Sequence, residues 1–261
     1  MRTIAIYNRK GGVGKTTTTA VMAYCLANRH RKRVLVIDGD SQGNISTYFG
    51  VRPEEGQSLM DLLEGSHEPL WEDLIAPTTN PRIHIIPADN RLMMADLSSI
   101  EDGRCNPGAI EDLCAAIAED NGMDYVLIDC PPGLNAAGAA AMRAADDIII
   151  PAEMEGFSAI GARDVVGQVE DARKVNPRLR IAGVLATKWR NTEPEQAMLR
   201  GLRGLGLPVF RHVIRLSAPV PSAMVDGENL LVYSPTCAAS VDYKRAVQEY
   251  LDGLRGGGRN G

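Results

Sequence analysis

Residues 10–17 of this 261-residue chain read KGGVGKTT, and they closely follow a short apolar run, TIAIY at 3–7. No other stretch limits the possible folds so sharply. A strand that turns through clustered glycines into Lys-Thr and then a helix is a cradle for phosphate. Gly11, Gly12 and Gly14 let the backbone curl, so that its N–H groups, with those of Val13 and Thr17, face phosphate oxygens. The helix starting near Thr16 turns the positive end of its dipole to the same anion. Lys15 is placed to reach the β- and γ-phosphates and the Thr16 hydroxyl to ligate Mg²⁺, so ATP with Mg²⁺ is the expected cofactor pair.

Around that loop, strand-like runs at 3–7, 33–38, 83–87, 125–129, 147–151, 181–187 and about 209–210 alternate with helical stretches at 16–28, 109–120, 136–145, 158–175 and 193–204. The runs VLVID, YVLID and DIIIP are apolar throughout, as in strands covered on both faces. This order predicts an α/β fold of the P-loop NTPase kind: a single doubly wound, mainly parallel twisted sheet flanked by helices. Residues 53–77 are acidic and irregular, which suggests short peripheral helices. A last helix is expected over 236–254, and RGGGRNG at 255–261 reads as a disordered tail. No Pro/Ser-rich linker interrupts 1–254, so one domain is expected there.

With 44% apolar residues the chain has ample material for a core. It contains no run of 18 apolar residues, so no membrane span is expected. The first strand begins at once and leaves no room for a signal peptide. Five cysteines without a C-x-x-C pair suggest free thiols in a reducing cytosol. The net charge of -5 argues against a surface coated in cations, so nucleic-acid binding would need a local patch.

Two strands end in aspartate, where an α/β sheet binds its ligands. In YVLIDCPP, Asp129 is the natural Walker B acid, holding Mg²⁺ through a water. Its neighbour Cys130 reads as a buried structural thiol. The ordinary P-loop opens with Gly; here that place is Arg9, and an additional lysine, Lys10, stands at the mouth of the loop. This is the deviant Walker A pattern, and the sequence resembles the ParA/MinD family of ATPases at this point.

The resemblance implies several roles. Lys10 would reach across a dimer interface to the partner's phosphates, making ATP the glue of a sandwich homodimer; the alternative is a solvated surface lysine. In VLVIDGDSQGN at 34–44, Asp40 would position the attacking water and Asp38 would support the metal shell; an Asx turn is the alternative for both. Ser41 stands where the family usually has Pro, which leaves the backbone freer. IRLS at 214–217, Gly227 and the 233–235 turn match the family's C-terminal pattern. The family places DNA-contacting cations in this half. Here Lys188, Arg190, Arg200, Arg203, Arg211 and Arg215 face Glu193 and Glu195, a local charge of +4. Arg190, Arg200, Arg203 and Arg215 are therefore DNA candidates, with a solvated helix face as the alternative.

The implied activity is a ParA/Soj-type ATPase, slow without its partner. Its ATP dimer binds DNA nonspecifically, and a ParB-type or analogous protein stimulates hydrolysis and release. It would work in the cytoplasm at the nucleoid and segregate a plasmid, a chromosome or another cargo. A loop starting near residue 10 leaves no room for the helix-turn-helix domain of the larger plasmid-type members. A MinD-like membrane-surface ATPase is an alternative, but residues 241–261 lack a strong apolar face. An iron–sulfur reductase or scaffold of the nitrogenase iron-protein class is another, but Cys25, Cys105, Cys114, Cys130 and Cys237 lack the spacing to hold a cluster.

Overall fold

Alternation of side chains along each apolar run determines which layer each residue enters. The computed structural model describes residues 1–65, 71–120, 122–154 and 159–257. Within them β1 (Arg2–Ile6), β2 (Val34–Asp38), β3 (Ala76–Pro77), β4 (Ile83–Ile86), β5 (Tyr125–Asp129), β6 (Asp147–Glu153) and β7 (Arg180–Thr187) form one sheet. The strand order is β3-β4-β2-β5-β1-β6-β7. Every pairing is parallel except β3 with β4. Ile4, Ile6, Val34 and Val36 pack into one apolar layer, while Ala5, Leu35 and Ile37 pack into the other. Both faces are covered, which is why these strands read as continuous apolar runs.

The helices are α1 (Lys15–Tyr24), α2 (Asn44–Tyr48), α3 (Leu59–Glu64), α4 (Trp71–Leu74), α5 (Leu97–Glu101), α6 (Ala109–Glu119), α7 (Ala136–Ala144), α8 (Ala159–Arg173), α9 (Glu193–Gly204), α10 (Pro219–Val225), α11 (Leu230–Tyr233) and α12 (Ala238–Gly257). α1 continues as a π-helical turn over Cys25–Arg29. Residues of α1, α2, α11 and α12 line one layer; α3, α6, α7, α8 and α9 line the other.

Some boundaries differ from the sequence reading. β3 is a two-residue strand inside the stretch expected to hold only short helices; α3 and α4 are there too. α12 begins at Ala238 and takes in 255–257, so the expected tail shrinks to 258–261, which lie outside the described residues. Ser158, the expected start of α8, also lies outside them.

The expected strand at 209–210 is an isolated bridge, Val184 with Val209. The chain over 208–216 nonetheless runs along the outer edge of β7. Phe210 N donates to Val184 O at 3.0 Å, and Ile214 N to Ala186 O at 2.7 Å. Backbone groups that miss β7 are satisfied by α12: Glu249 accepts from Arg211 N at 2.7 Å and His212 N at 3.1 Å, and Asp242 from Arg215 N at 3.1 Å. An irregular segment clamped by carboxylates thus covers the exposed sheet edge.

Asp147, fully buried at the start of β6, accepts from Arg2 Nε, Arg180 Nε and Tyr250 Oη, each at 2.7 Å. It joins β1, β7 and α12 at the end of the sheet away from the glycine loop. Burial alone would raise this carboxyl, but bonds from Arg2, Arg180 and Tyr250 outweigh it and hold it below the usual range. A group depressed in the folded state stabilises above its unfolded pKa, near 3.9, and loses that contribution as pH falls. Asp147→Ala is expected to destabilise by roughly 2 kcal/mol at pH 7, discounted because both arginines are partly solvated. In urea titrations the gap from wild type should narrow below about pH 4. A gap of constant size down to pH 3 would contradict this account.

Candidate functional site

The glycine loop lies where the motif puts it, between β1 and α1. Gly12 (φ 73°) and Gly14 (φ 89°) adopt left-handed backbone, which an L side chain resists, and Gly14 forms the N-cap of α1. No side chain caps α1, and its first turn has no acidic residue. By contrast α3, α7 and α9 are capped by Ser58, Asn135 and Thr192. The first N–H groups of α1 are therefore free to meet an anion.

Neighbouring strands hold the loop in shape. Asn8 is buried, donates Nδ2 to Pro151 O at 2.8 Å and accepts from Lys10 N at 3.0 Å. Thr187, at the end of β7, donates to Val13 O at 2.8 Å. Lys15 bends back over the loop, donating Nζ to Asn8 O at 3.1 Å and Lys10 O at 3.2 Å. Burial pulls its ammonium below the usual lysine range, with Asp129 pulling the other way. Thr16 and Thr17 are half-buried in the first turn, and Gly11 is exposed.

Asp38 and Asp129 are register partners at the ends of β2 and β5, and both are buried. Asp38 is fully engaged: Oδ2 accepts from Ser46 Oγ at 2.6 Å and Ser46 N at 3.0 Å, and Oδ1 from Asp40 N at 3.1 Å. Burial pushes its carboxyl up to about 6 against these hydrogen bonds. Asp129 is pushed up to about 8, first by burial and then by the charge of Asp38, with Thr16, Lys15 and Thr19 opposing. Its Oδ1 accepts from Thr19 Oγ1 at 3.2 Å, while Oδ2 is buried without a hydrogen-bond partner among the described residues.

A divalent cation fits these residues. The orphaned Asp129 oxygen, beside the Thr16 that lowers its pKa, is the acceptor that an Mg²⁺-bound water would occupy. When bound, Mg²⁺ would supply positive charge at the phosphates and let both aspartates ionise. Asp38, with its oxygens engaged, is suited to orient the Asp40 turn rather than to touch the ion. Asp40 is half-buried; its Oδ1 accepts from Gln42 N at 3.0 Å in an Asx turn. Cys130 is buried, with its thiol raised well above the ordinary range by burial. Sequence reasoning missed Asn8, Ser46 and Thr187. Each works through the main chain or through another side chain, so no spacing marks it.

The first 181 residues match the family model described as an AAA domain. The chain is 37% identical over 259 residues to the chromosome partitioning protein ParA of Caulobacter vibrioides, covering 96% of this chain and 94% of that protein. It is 35% identical to the chromosome-partitioning ATPase Soj of Thermus thermophilus, covering 96% of each. The chain belongs to the ParA family of ATPases. Its fold also aligns with cobyrinic acid a,c-diamide synthase of Mycobacterium smegmatis, solved with a bound ATP analog and magnesium. The TM-score is 0.78 at 26% identity, covering 98% of this chain and 97% of that one.

For a ParA-type ATPase the surroundings of the loop matter as much as the loop. A recess beside Gly14 and Thr17 is walled by Lys188, Arg215, Ser217 and Tyr243. Arg215 grips Asp242 with Nε and one Nη, each at 2.7 Å, and Tyr243 Oη lies 3.1 Å from Thr18 Oγ1. Arg215 thus stands next to the glycine loop.

The fold also rewrites the charge count of the C-terminal half. Lys188 lies 3.5 Å and Arg190 3.9 Å from Glu153; Arg211 is 3.6 Å from Glu249, and Arg200 is 2.7 Å from Glu193. Adding the three carboxylates Glu153, Asp242 and Glu249 lowers the local +4 to +1. Arg203 is exposed.

Lys15→Ala removes the buried cation over the loop. ATP affinity by calorimetry is expected to fall roughly 100-fold, the loss of about 2–3 kcal/mol of charge-assisted hydrogen bonding. An unchanged affinity would refute the assignment of this loop to phosphate.

Proposed function

We propose that this protein is a partitioning ATPase whose nucleotide-loaded form is a sandwich dimer, acting from a single domain in the cytoplasm. Lys10 carries the reading. Its backbone N–H is held by Asn8 and its carbonyl by Lys15, yet its exposed ammonium has no ion pair or hydrogen bond among the described residues. A lysine held so firmly by its main chain, with its charge directed at nothing in its own chain, suits the phosphates of a second copy. There it would add positive charge where negative charge develops in phosphoryl transfer.

Hydrolysis in this proposal depends on Asp40. The Asp38–Ser46 contacts hold the turn, and the Asx geometry keeps the Asp40 carboxylate at the carboxyl ends of β2 and β5, where a water attacking the γ-phosphate would be ordered. Ser41 in place of the family's Pro leaves the turn less rigid, consistent with slow, Mg²⁺-dependent turnover that awaits a ParB-type or analogous activator. The ATP dimer would bind DNA through its phosphate backbone, regardless of sequence, and hydrolysis would release it. The names of the Caulobacter and Thermus relatives support chromosome or plasmid segregation as the outcome.

Two variants separate the steps. Lys10→Ala should bind ATP with wild-type affinity yet remain monomeric in sedimentation velocity. A nucleotide-dependent dimer in this variant would overturn the role given to Lys10. Asp40→Ala should bind ATP and dimerise while hydrolysing roughly 100-fold more slowly. Wild-type turnover there would remove Asp40 from the mechanism.

A further inference from the structure

Residues 7–10 carry the chain from β1 into the glycine loop. Tyr7 N donates to Ile149 O at 3.0 Å, which extends the β1–β6 ladder by one rung. In a parallel pair the following rung would run from Arg9 N to Pro151 O, two residues further along each strand. A side chain fills that place instead: Asn8 Nδ2 donates to Pro151 O at 2.8 Å. The Asn8 amide stands in for a peptide group, and the main chain is free to leave the sheet. Pro151 suits the exchange, because it has no N–H to offer where β1 departs. The other end of the same amide, Oδ1, accepts from Lys10 N at 3.0 Å and closes an Asx turn onto the lysine. Asn8 is 2% exposed, so both bonds are shielded from water.

We propose that Asn8 is the positioning residue for Lys10: it fixes where the Lys10 side chain leaves the loop, and so where its ammonium meets the phosphates of a second copy. This rests on the cross-subunit role given to Lys10 above. Packing does not fix the far side of Lys10. Gly11 and Gly12 follow it at once, and a Cβ on either would meet nothing within 4 Å. Two hydrogen bonds hold its main chain. The one from Lys15 Nζ to Lys10 O, at 3.2 Å, is given up when that ammonium turns to a phosphate. The one from Lys10 N to Asn8 is not, and in the nucleotide-loaded chain it is the hold that remains.

Two details let the role of Asn8 be separated from phosphate binding in its own chain. Asn8 O, which accepts from Lys15 Nζ at 3.1 Å, is a main-chain group that every substitution keeps. The strand exit is also pinned independently, because Tyr7 is fully buried and its Oη donates to Gln168 of α8 at 2.7 Å. Removing the Asn8 side chain therefore strikes Lys10 and leaves Lys15 and the phosphate cradle in place. Serine at this position still offers an oxygen to Lys10 N in the equivalent hydroxyl turn, but it has no second arm for Pro151 O.

The test measures ATP affinity by calorimetry, ATP-dependent dimerisation by sedimentation, and kcat and KM, all on the full chain with Mg²⁺. For Asn8→Ala, ATP affinity and KM should stay within about threefold of wild type, while dimerisation and kcat each fall roughly tenfold, the scale of a lost buried hydrogen bond. Asn8→Ser should recover part of both losses, and it carries the test if the alanine variant does not fold. Adding Asn8→Ala to Lys10→Ala should lower kcat by less than about twofold further, because the side chain it positions is already gone. Three results would each overturn the proposal: a loss of ATP affinity as large as the loss of kcat, a full effect of Asn8→Ala in the Lys10→Ala background, or wild-type dimerisation and kcat in both Asn8 variants. In the last case Lys10→Ala separates the two readings. If it stays monomeric, only the role of Asn8 fails; if it too dimerises with ATP, the cross-subunit role of Lys10 fails and that of Asn8 with it.

Discussion

Two carboxylates are forced together here by strand register. Asp38 and Asp129 are partners at the ends of adjacent parallel strands, and both are buried. Strands in a sheet lie about 4.8 Å apart, and two unit charges at roughly that distance repel by about 3 kcal/mol at an effective dielectric near 20. The arrangement is tolerable only if protons, hydrogen bonds or a cation offset the repulsion. Asp38 is stabilised by Ser46 and the Asp40 N–H; Asp129 has Thr19 and keeps one oxygen bare. The asymmetry is plain: one acid shapes the turn that carries Asp40, and the other keeps an oxygen without a hydrogen bond among the described residues.

That division depends on the loop opposite. Lys15 could have paired with Asp129; instead its ammonium bonds to two loop carbonyls, and α1 starts without a capping side chain. Loop and carboxylates are thus built as complementary halves, N–H groups and ammonium on one side and bare carboxylate oxygen on the other. A phosphate–Mg²⁺ pair matches both halves at once. Either ion alone would leave one half unbalanced, which is a physical reason for nucleotide and metal to bind together.

Legibility in the sequence followed the range of each interaction. Loop, strands and terminal aspartates depend on local backbone geometry and on two-sided burial, and KGGVGKTT, VLVID and YVLID carried both. The charge of the C-terminal half did not follow from sequence, because Glu153, Asp242 and Glu249 come from outside the counted stretch and the fold delivers them to Lys188, Arg215 and Arg211. The edge strand at 209–210 failed for a related reason: its hydrogen bonds are split between β7 and carboxylates of a helix some 30 residues later. The cation run at 29–33 is plain in the sequence; the arrival of Arg82 and Arg255 beside it is not.

Parallel topology puts the glycine loop and the cation run at 29–33 at opposite ends of the sheet. Because every strand but β3 runs the same way, the turns entering those strands lie at one end and the turns leaving them at the other. Arg33 and Arg82 lead into β2 and β4; Gly39 and Cys130 lead out of β2 and β5. Five residues of strand at about 3.3 Å each separate the ends by roughly 17 Å, about two Debye lengths at physiological salt. Direct electrostatic coupling between the glycine loop and the cations at the far end of the sheet is therefore weak within one chain.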